Sequence, residues 1–182
     1  MNGTSTLRRV LVVSGSARAA STNTAFCRTA ATCAPEGVVV DNYLSIALLP
    51  HFNPDHDHDP LPFEVTALRA AIATAAAVLF CTPEYAGTLP GSFKNLLDWL
   101  VGGTEISGKR VAWCGVAADP GRGHGAHTTL DTVLRYVQAT TVLEACQHVP
   151  VTRDAIGRDG RITDPRIRER ITRILELLLN AH

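Results

Sequence analysis

Residues 10–23 read VLVVSGSARAASTN and combine the features that decide the fold. The first four form a continuous apolar run, as expected for a strand that is buried on both faces of a parallel sheet. The remaining ten are rich in hydroxyl-bearing side chains and lead into a helix that we predict over Ser21–Cys33. A buried strand, a polar loop and a helix in succession indicate the first βα unit of a doubly wound α/β fold.

The same alternation continues along the rest of the chain. After Val10–Val13, apolar runs predict four more strands: Gly37–Val40, Ala77–Cys81, Arg110–Val116 and one within Thr141–Val151. Apolar side chains spaced by three and four residues predict the other helices: Phe63–Ala75, Gly91–Leu100, one that contains Leu130–Val137, and Asp164–Asn180. The expected fold is a five-stranded parallel sheet with helices on both faces. Without a repeat or linker, residues 1–182 are predicted to form one domain.

The composition argues against several classes of function. The chain has 17 basic and 17 acidic residues, a balance that disfavours a nucleic-acid-binding face. Its apolar runs are too short to span a bilayer and no signal peptide is evident, so we expect a cytoplasmic protein without a membrane partner. The five cysteines form no CxxC pair, and most lie in apolar segments. We therefore expect reduced, packed thiols and no metal site built from them.

The loop after the first strand has the donors that a phosphate group requires. A helix N-terminus offers unpaired N–H groups and a partial positive charge. Arg18 adds a full positive charge, and short polar side chains come from Ser16, Ser21, Thr22 and Asn23. A helix cap alone would explain one hydroxyl, but not four polar donors and an arginine. Because the loop lacks the further glycines of a dinucleotide fingerprint and the Gly-Lys-Ser/Thr of a P-loop, we predict a terminal phosphate monoester.

A second candidate loop follows the third strand, where residues 82–92 read TPEYAGTLPGS. Its prolines and glycines indicate a stiff, shaped turn, and Tyr85 offers an aromatic face with a polar tip. Taken alone, the segment is explained equally well as an ordinary strand-to-helix connection. Ligands of open α/β sheets bind outside the carboxyl ends of the strands, where the strand order reverses. The two loops together therefore predict a planar heterocycle that carries a phosphate.

Both stretches resemble the NADPH-dependent FMN reductase family, which includes quinone, azo-dye and chromate reductases. The family's first motif, glycine-serine-x-arginine-x-x-serine-x-asparagine, is matched by Gly15, Ser16, Arg18, Ser21 and Asn23. Its second combines proline-glutamate-tyrosine-asparagine, proline-glycine and lysine-asparagine-x-x-aspartate-tryptophan. The matching residues are Pro83, Glu84, Tyr85, Pro90, Gly91, Lys94, Asn95, Asp98 and Trp99. The likeness runs from about Val10 to Leu179, and Ala86 departs from it, because the family usually has asparagine there.

The resemblance implies a flavodoxin-like fold with bound FMN. It implies electron transfer from NADPH through FMN to a small acceptor: free flavin, a quinone, an azo compound or a metal oxyanion. No catalytic side chain is implied, since the flavin carries the chemistry. The family commonly forms dimers or tetramers through the helix that corresponds to Gly91–Leu100, which implies a homodimer or homotetramer.

The implied cofactor contacts lie in three loops. Beside the phosphate loop, the second loop contributes Pro83, Glu84, Tyr85 and Ala86. A third loop follows the fourth strand and resembles the family's glycine-rich loop only loosely. Its backbone N–H groups are candidates for the N1–O2 edge of the flavin, from Ala117, Ala118, Asp119 and Gly121.

Other interpretations stay open at the level of sequence. A flavodoxin-type electron carrier would bind FMN without oxidising NADPH, and a phosphate-sensing or nucleotide-binding module would do no redox chemistry. The histidine- and aspartate-rich residues 51–59 are either a metal site or, as we favour, a solvated loop at the rim of the ligand site. Arg122 and His124 contact an NADPH phosphate or belong to an exposed loop, and the sequence favours neither.

Overall fold

A computed structural model describes residues 7–119 and 121–180. Its central sheet is parallel and has the strand order β2–β1–β3–β4–β5. The first four strands are β1 (Arg8–Ser14), β2 (Val38–Tyr43), β3 (Ala77–Cys81) and β4 (Arg110–Gly115). This confirms the predicted doubly wound α/β fold, and the observed strand order is the flavodoxin-like one.

The fifth strand is interrupted. β5 (Thr140–Thr141) and β6 (Gln147–His148) both pair with β4, and a 3₁₀ turn over Leu143–Ala145 separates them. Val142, just before the turn, and Ala145, its last residue, are buried in the apolar core. This burial stabilises the segment where the strand pairing is interrupted. The fifth strand predicted within Thr141–Val151 is therefore present, but as two short segments.

Five α-helices in the described part of the chain cover the sheet, close to the predicted positions. They are α1 (Thr22–Ala30), α2 (Phe63–Thr74), α3 (Gly91–Asp98), α4 (His124–Tyr136) and α5 (Pro165–Asn180). α1 and α5 share one apolar core, and α2, α3 and α4 share the other. No helix in the described ranges is both long and apolar enough to cross a bilayer.

β1 separates the two cores. Val10 and Val12 belong to the core below α1 and α5, whereas Leu11 and Val13 belong to the core on the opposite face. All four side chains are 0–3% exposed, which explains why this strand is apolar at every position. The strand order reverses between β1 and β3, so the loops that follow them diverge and leave a crevice at the carboxyl edge of the sheet.

α3 anchors the loop that follows β2. The Asn95 and Trp99 side chains donate hydrogen bonds from Nδ2 and Nε1 to the carbonyl oxygen of Pro50, at 2.9 and 2.8 Å. The Asn95 Oδ1 atom accepts the N–H of Phe52 at 2.7 Å. Two residues of the second family motif therefore hold a neighbouring loop in place.

Candidate functional site

A cavity of about 220 Å³ lies where three loops meet at the carboxyl edge of the sheet. One wall is the start of α1, the second is the loop after β3, and the third is the loop between β4 and α4. The lining residues are Thr22, Asn23, Thr82, Pro83, Glu84, Tyr85, Gly115, Val116, Ala117, Arg122 and Gly123. The cavity therefore lies where the strand order reverses, between β1 and β3. The loop after the neighbouring strand, β4, closes its third side.

The loop before α1 is shaped by its own hydroxyl groups. The Ser21 Oγ atom caps α1 by accepting the N–H of Thr24 at 3.0 Å, and the Ser16 Oγ atom accepts the N–H of Arg18 at 3.3 Å. Arg18 is exposed, and its guanidinium donates to the carbonyl of Ala20 at 3.1 Å. Ser21 is thus the N-cap of α1, and the exposed Arg18 guanidinium adds a positive charge to the same loop.

Backbone donors remain at the start of α1. Within residues 7–119, the N–H groups of Ala17, Thr22 and Asn23 have no protein acceptor. Thr22 and Asn23 line the cavity at the positive end of the helix dipole, and Ala17 belongs to the loop that precedes the helix. Unpaired N–H groups in this position are what an anion such as phosphate requires.

Asn23 lies at the bottom of this wall. Its side chain is almost fully buried, and its Oδ1 atom lies 3.2 Å from the thiol sulfur of Cys81, the last residue of β3. A close approach between the first two loops accompanies this contact. A Cβ atom on Gly15 would lie only 2.6 Å from the Thr82 Oγ1 atom, so glycine is required there.

The loop after β3 is a tight hairpin. Tyr85 and Thr88 exchange two backbone hydrogen bonds, at 3.0 and 3.1 Å. The two residues between them have positive φ angles, 50° for Ala86 and 77° for Gly87, as in a type I′ turn. The turn leaves the Tyr85 ring 55% exposed at the mouth of the cavity.

Glu84 joins this hairpin to α4. Its Oε2 atom accepts the N–H groups of Gly125 and Ala126, at 2.8 and 3.3 Å. These donors belong to the first turn of α4, whose own N-cap, Gly123, supplies no side chain. This role was not predicted from the sequence, because a cap from a distant loop leaves no local pattern.

Two imidazole rings lie behind the cavity. His127 stacks on Trp113 with ring centroids 3.8 Å apart, and His148 meets His127 edge-on at 5.3 Å. A Cβ atom on Gly115 would lie 2.6 Å from His127 and 2.7 Å from His148, so these rings directly back a residue that lines the cavity. This cluster was not predicted from the sequence, since its members come from β4, α4 and β6.

The electrostatics of His127 follow from its surroundings. Its Nε2 atom is buried and has no partner among the described residues. Burial, with a smaller contribution from His148, lowers the pKa of His127 to about 4. Glu84 acts in the opposite direction and is outweighed. The ring is therefore neutral at neutral pH.

The structure brings about half of the predicted site residues into the cavity wall. Thr22, Asn23, Pro83, Glu84, Tyr85 and Ala117 line it. Ser16, Arg18 and Ser21 shape the adjoining loop, and the remaining predictions, Ala86, Ala118, Asp119 and Gly121, lie outside the lining.

The other lining residues were missed or left open. Thr82, Gly115, Val116 and Gly123 were missed, because residues of this kind contribute mainly backbone and carry no distinctive signal. Of the two residues left open, Arg122 lines the cavity and His124 does not. The Asp119 Oδ1 atom accepts the N–H of Gly121 at 2.9 Å, which stabilises a turn within the third loop.

The histidine- and aspartate-rich loop is held by an ion pair. The Arg69 guanidinium contacts the Asp57 carboxylate at 2.6 Å and also donates to the carbonyl of Trp99. Both charged side chains are about 90% buried, and the positive charge of Arg69 balances the negative charge of Asp57. Among the residues that the structure describes, no three histidine, cysteine or acidic side chains converge on a possible metal position.

Comparison with known proteins identifies close relatives of the chain. Residues 8–151 match the family model for NADPH-dependent FMN reductase. The chain is 30% identical to an NAD(P)H-dependent FMN reductase of Pseudomonas aeruginosa, over 93% of this chain and 92% of that protein. It is 31% identical to a probable NADPH:quinone oxidoreductase of Oryza sativa, over 92% of this chain and 85% of that protein.

A solved structure supports the same relationship. The flavoenzyme NAD(P)H:(acceptor) oxidoreductase of Paracoccus denitrificans has a TM-score of 0.73 to this chain and is 27% identical in sequence. The similarity covers 94% of this chain and 97% of that one.

Proposed function

Because the chain belongs to the NADPH-dependent FMN reductase family and is an NAD(P)H-dependent flavin oxidoreductase, we propose that it passes electrons from NADPH through FMN to a quinone or to free flavin. The observation that carries this proposal is the convergence of three loops on one cavity, with unpaired N–H donors at the start of α1. The relatives' names, FMN reductase and quinone oxidoreductase, support these two acceptor classes over azo compounds and metal oxyanions.

The residues present fit FMN. The N–H groups of Ala17, Thr22 and Asn23 suit three phosphate oxygens, and Arg18 supplies the charge that balances them. We assign the ring to the space between the two later loops, beside Pro83–Tyr85 and Ala117. Ser16 and Ser21 shape the phosphate loop, while Ala86, Ala118, Asp119 and Gly121 form the rim. Bound FMN would supply the two-electron chemistry that links the nicotinamide donor to the acceptor.

The chain's own contribution is binding and access. Tyr85 borders the open side of the cavity, and Arg122 places a positive charge in its lining, suited to a phosphate of the donor. The sequence has no dinucleotide fingerprint, so a separate nicotinamide pocket is not expected. Donor and acceptor would then use the same open face in turn.

This sequence of events predicts ping-pong kinetics. NADPH mixed with the FMN-loaded protein without air is expected to bleach the yellow flavin. Initial rates at several quinone concentrations should give parallel lines in a double-reciprocal plot. Intersecting lines would refute the shared face. Flavin that stays yellow would favour the flavodoxin-type carrier.

Phosphate recognition is tested separately through Arg18. Hydrogen bonds to charged groups contribute about 1.5–3 kcal/mol, so Arg18→Ala is expected to weaken FMN by roughly 10-fold to 150-fold. Riboflavin, which has no phosphate, should lose little affinity, and FAD should bind much more weakly than FMN. Arg28→Ala is a matched control, because Arg28 is an exposed arginine of α1 outside the cavity lining. Titration calorimetry measures all three ligands, and an equal loss for riboflavin would show that Arg18 acts through the fold.

We also propose that residues 1–182 form one domain, act in the cytoplasm and assemble as a homodimer or homotetramer. Large apolar side chains at the surface support assembly, since Phe63 is 82% exposed and Leu48 is 66% exposed. Light scattering on the purified protein tests this. A mass equal to the 19.5 kDa of one chain would contradict it.

A further inference from the structure

We propose that the Cys81 thiol is a positioning group for the cofactor: it holds the side-chain amide of Asn23 so that the amide nitrogen faces the cavity. The role rests on the proposed binding of FMN. It concerns a residue that does not line the cavity and acts only through its neighbour.

The contact has a defined direction. The Cys81 sulfur lies 3.2 Å from the Asn23 Oδ1 atom, within the distance of a hydrogen bond to sulfur. A carbonyl oxygen can only accept, so the thiol must donate its proton. Cys81 is 0% exposed, and this burial, together with the neighbouring Cys27 and Cys114 thiols, raises its pKa well above the usual value. The thiol is therefore protonated, and its donor is present, at neutral pH.

The contact decides which end of the amide a ligand meets. With Oδ1 held by Cys81, Nδ2 is the atom that is left for the cavity. Nδ2 has no protein acceptor among the described residues. It is also absent from the buried polar atoms without a partner, so part of its surface is accessible. It therefore opens onto the cavity that Asn23 lines.

The orientation matters because the neighbouring groups are all donors. Among the residues that the structure describes, the N–H groups of Thr22 and Asn23 at the same helix end have no acceptor, so Nδ2 extends a set of donors that is suited to an anion. A flipped amide would present its oxygen to the phosphate and repel it. A neutral hydrogen bond contributes about 0.5–1.5 kcal/mol, so loss of the thiol should weaken FMN by about 2-fold to 10-fold.

β4 supplies a matched control for Cys81. Cys114 is the register partner of Cys81 in the sheet and is also 0% exposed, but among the described residues it is Cys81, and not Cys114, that donates a hydrogen bond to Asn23. Cys81→Ala and Cys114→Ala each remove one buried thiol at the same depth, and only the first removes the donor. Cys81→Ser keeps a donor in nearly the same volume.

Titration calorimetry with FMN provides the first test. Cys81→Ala should lose about 2-fold to 10-fold in affinity, whereas Cys81→Ser and Cys114→Ala should stay within about 2-fold of the wild type. In an Asn23→Ala background, Cys81→Ala should cause no further loss, because the group that it positions is gone. An equal loss in both backgrounds, or an equal loss for riboflavin, would overturn the proposal.

A second measurement uses the protein without FMN. The infrared S–H stretching band that disappears in Cys81→Ala belongs to Cys81, and it should shift in Asn23→Ala because its acceptor is lost. If that band does not move while FMN binds normally, the positioning role is wrong and the proposed function stands. If the wild-type protein binds no FMN, the proposed function fails, and the infrared result still decides whether the contact exists.

Discussion

Ala86 has a backbone conformation that suits a different residue. Its φ of 50° lies in the left-handed region, where a residue other than glycine, asparagine or aspartate costs about 1–2 kcal/mol. The family motif that the chain resembles has asparagine at this position, and the type I′ turn gives the physical reason, since Asn-Gly is its preferred pair. The backbone conformation of the turn is therefore sufficient to explain why the family usually has asparagine at this position.

We predict that Ala86→Asn stabilises the protein. The side chain is exposed at the tip of the hairpin, so the larger residue meets no steric obstacle, and unfolding should cost about 0.5–1 kcal/mol more. Urea denaturation followed by circular dichroism measures the change. Ala118→Asn is the control, because Ala118 is an exposed loop residue without a positive φ angle. An unchanged or lower stability of Ala86→Asn would show that the turn is not strained.

At the scale of whole elements, Glu84 makes the β3–α3 loop and α4 depend on each other. Its carboxylate accepts two N–H groups of the first turn of α4, which has no local side-chain cap. Losing a cap costs about 0.5–2 kcal/mol, so we expect Glu84→Ala to destabilise the protein by about that amount. FMN affinity should fall as well, because the β3–α3 loop and the loop that leads into α4 both line the cavity.

Two variants make this prediction specific. Glu84→Gln keeps one acceptor oxygen and should give an intermediate loss of stability. Glu144→Ala, on the exposed 3₁₀ turn between β5 and β6, removes an acidic residue without a capping role and should be close to neutral. If urea denaturation gave the same free energy of unfolding for Glu84→Ala and Glu144→Ala, the hydrogen bonds from α4 to Glu84 would not contribute to stability.

At the scale of the whole molecule, the sequence predicts the layers better than the site. β1 is apolar at every core position because helices cover both faces of the sheet, so its pattern reveals the fold directly. The capping role of Glu84 and the ring cluster around His127 cannot be predicted in this way, since they join segments that lie 14 to 41 residues apart in the sequence. The break between β5 and β6 escapes it too, because a short apolar stretch does not reveal where pairing stops.

Folding stability should depend on pH through His127. Its pKa is about 4 in the folded protein and 6.5 when unperturbed, so the unfolded chain binds the additional proton between these values. The neutral ring therefore contributes its full stability above pH 6.5, and this contribution disappears as the pH falls towards 4. Its size is on the order of 2–3 kcal/mol.

Comparison with a variant isolates this contribution. His127→Phe keeps an aromatic ring against Trp113 but cannot titrate, so its stability should fall less steeply than that of the wild type over the same pH interval. Urea denaturation at closely spaced pH values measures both curves. His124→Phe is the control, since His124 is exposed in the same helix turn. Parallel curves for wild type and His127→Phe would rule out His127 as the source.

The stacking of His127 on Trp113 also gives the protein an optical reporter. Protonation would turn a neutral stack into a cation held against the indole face. An imidazolium in contact with an excited indole quenches its emission by accepting an electron. The other tryptophan, Trp99, is fully buried and donates its indole N–H to the Pro50 carbonyl, so its fluorescence should stay constant while the fold is intact. Emission from Trp113 should therefore dim as the solution is acidified towards pH 4. The fluorescence of Trp113 would then report whether His127, behind the cavity, is protonated.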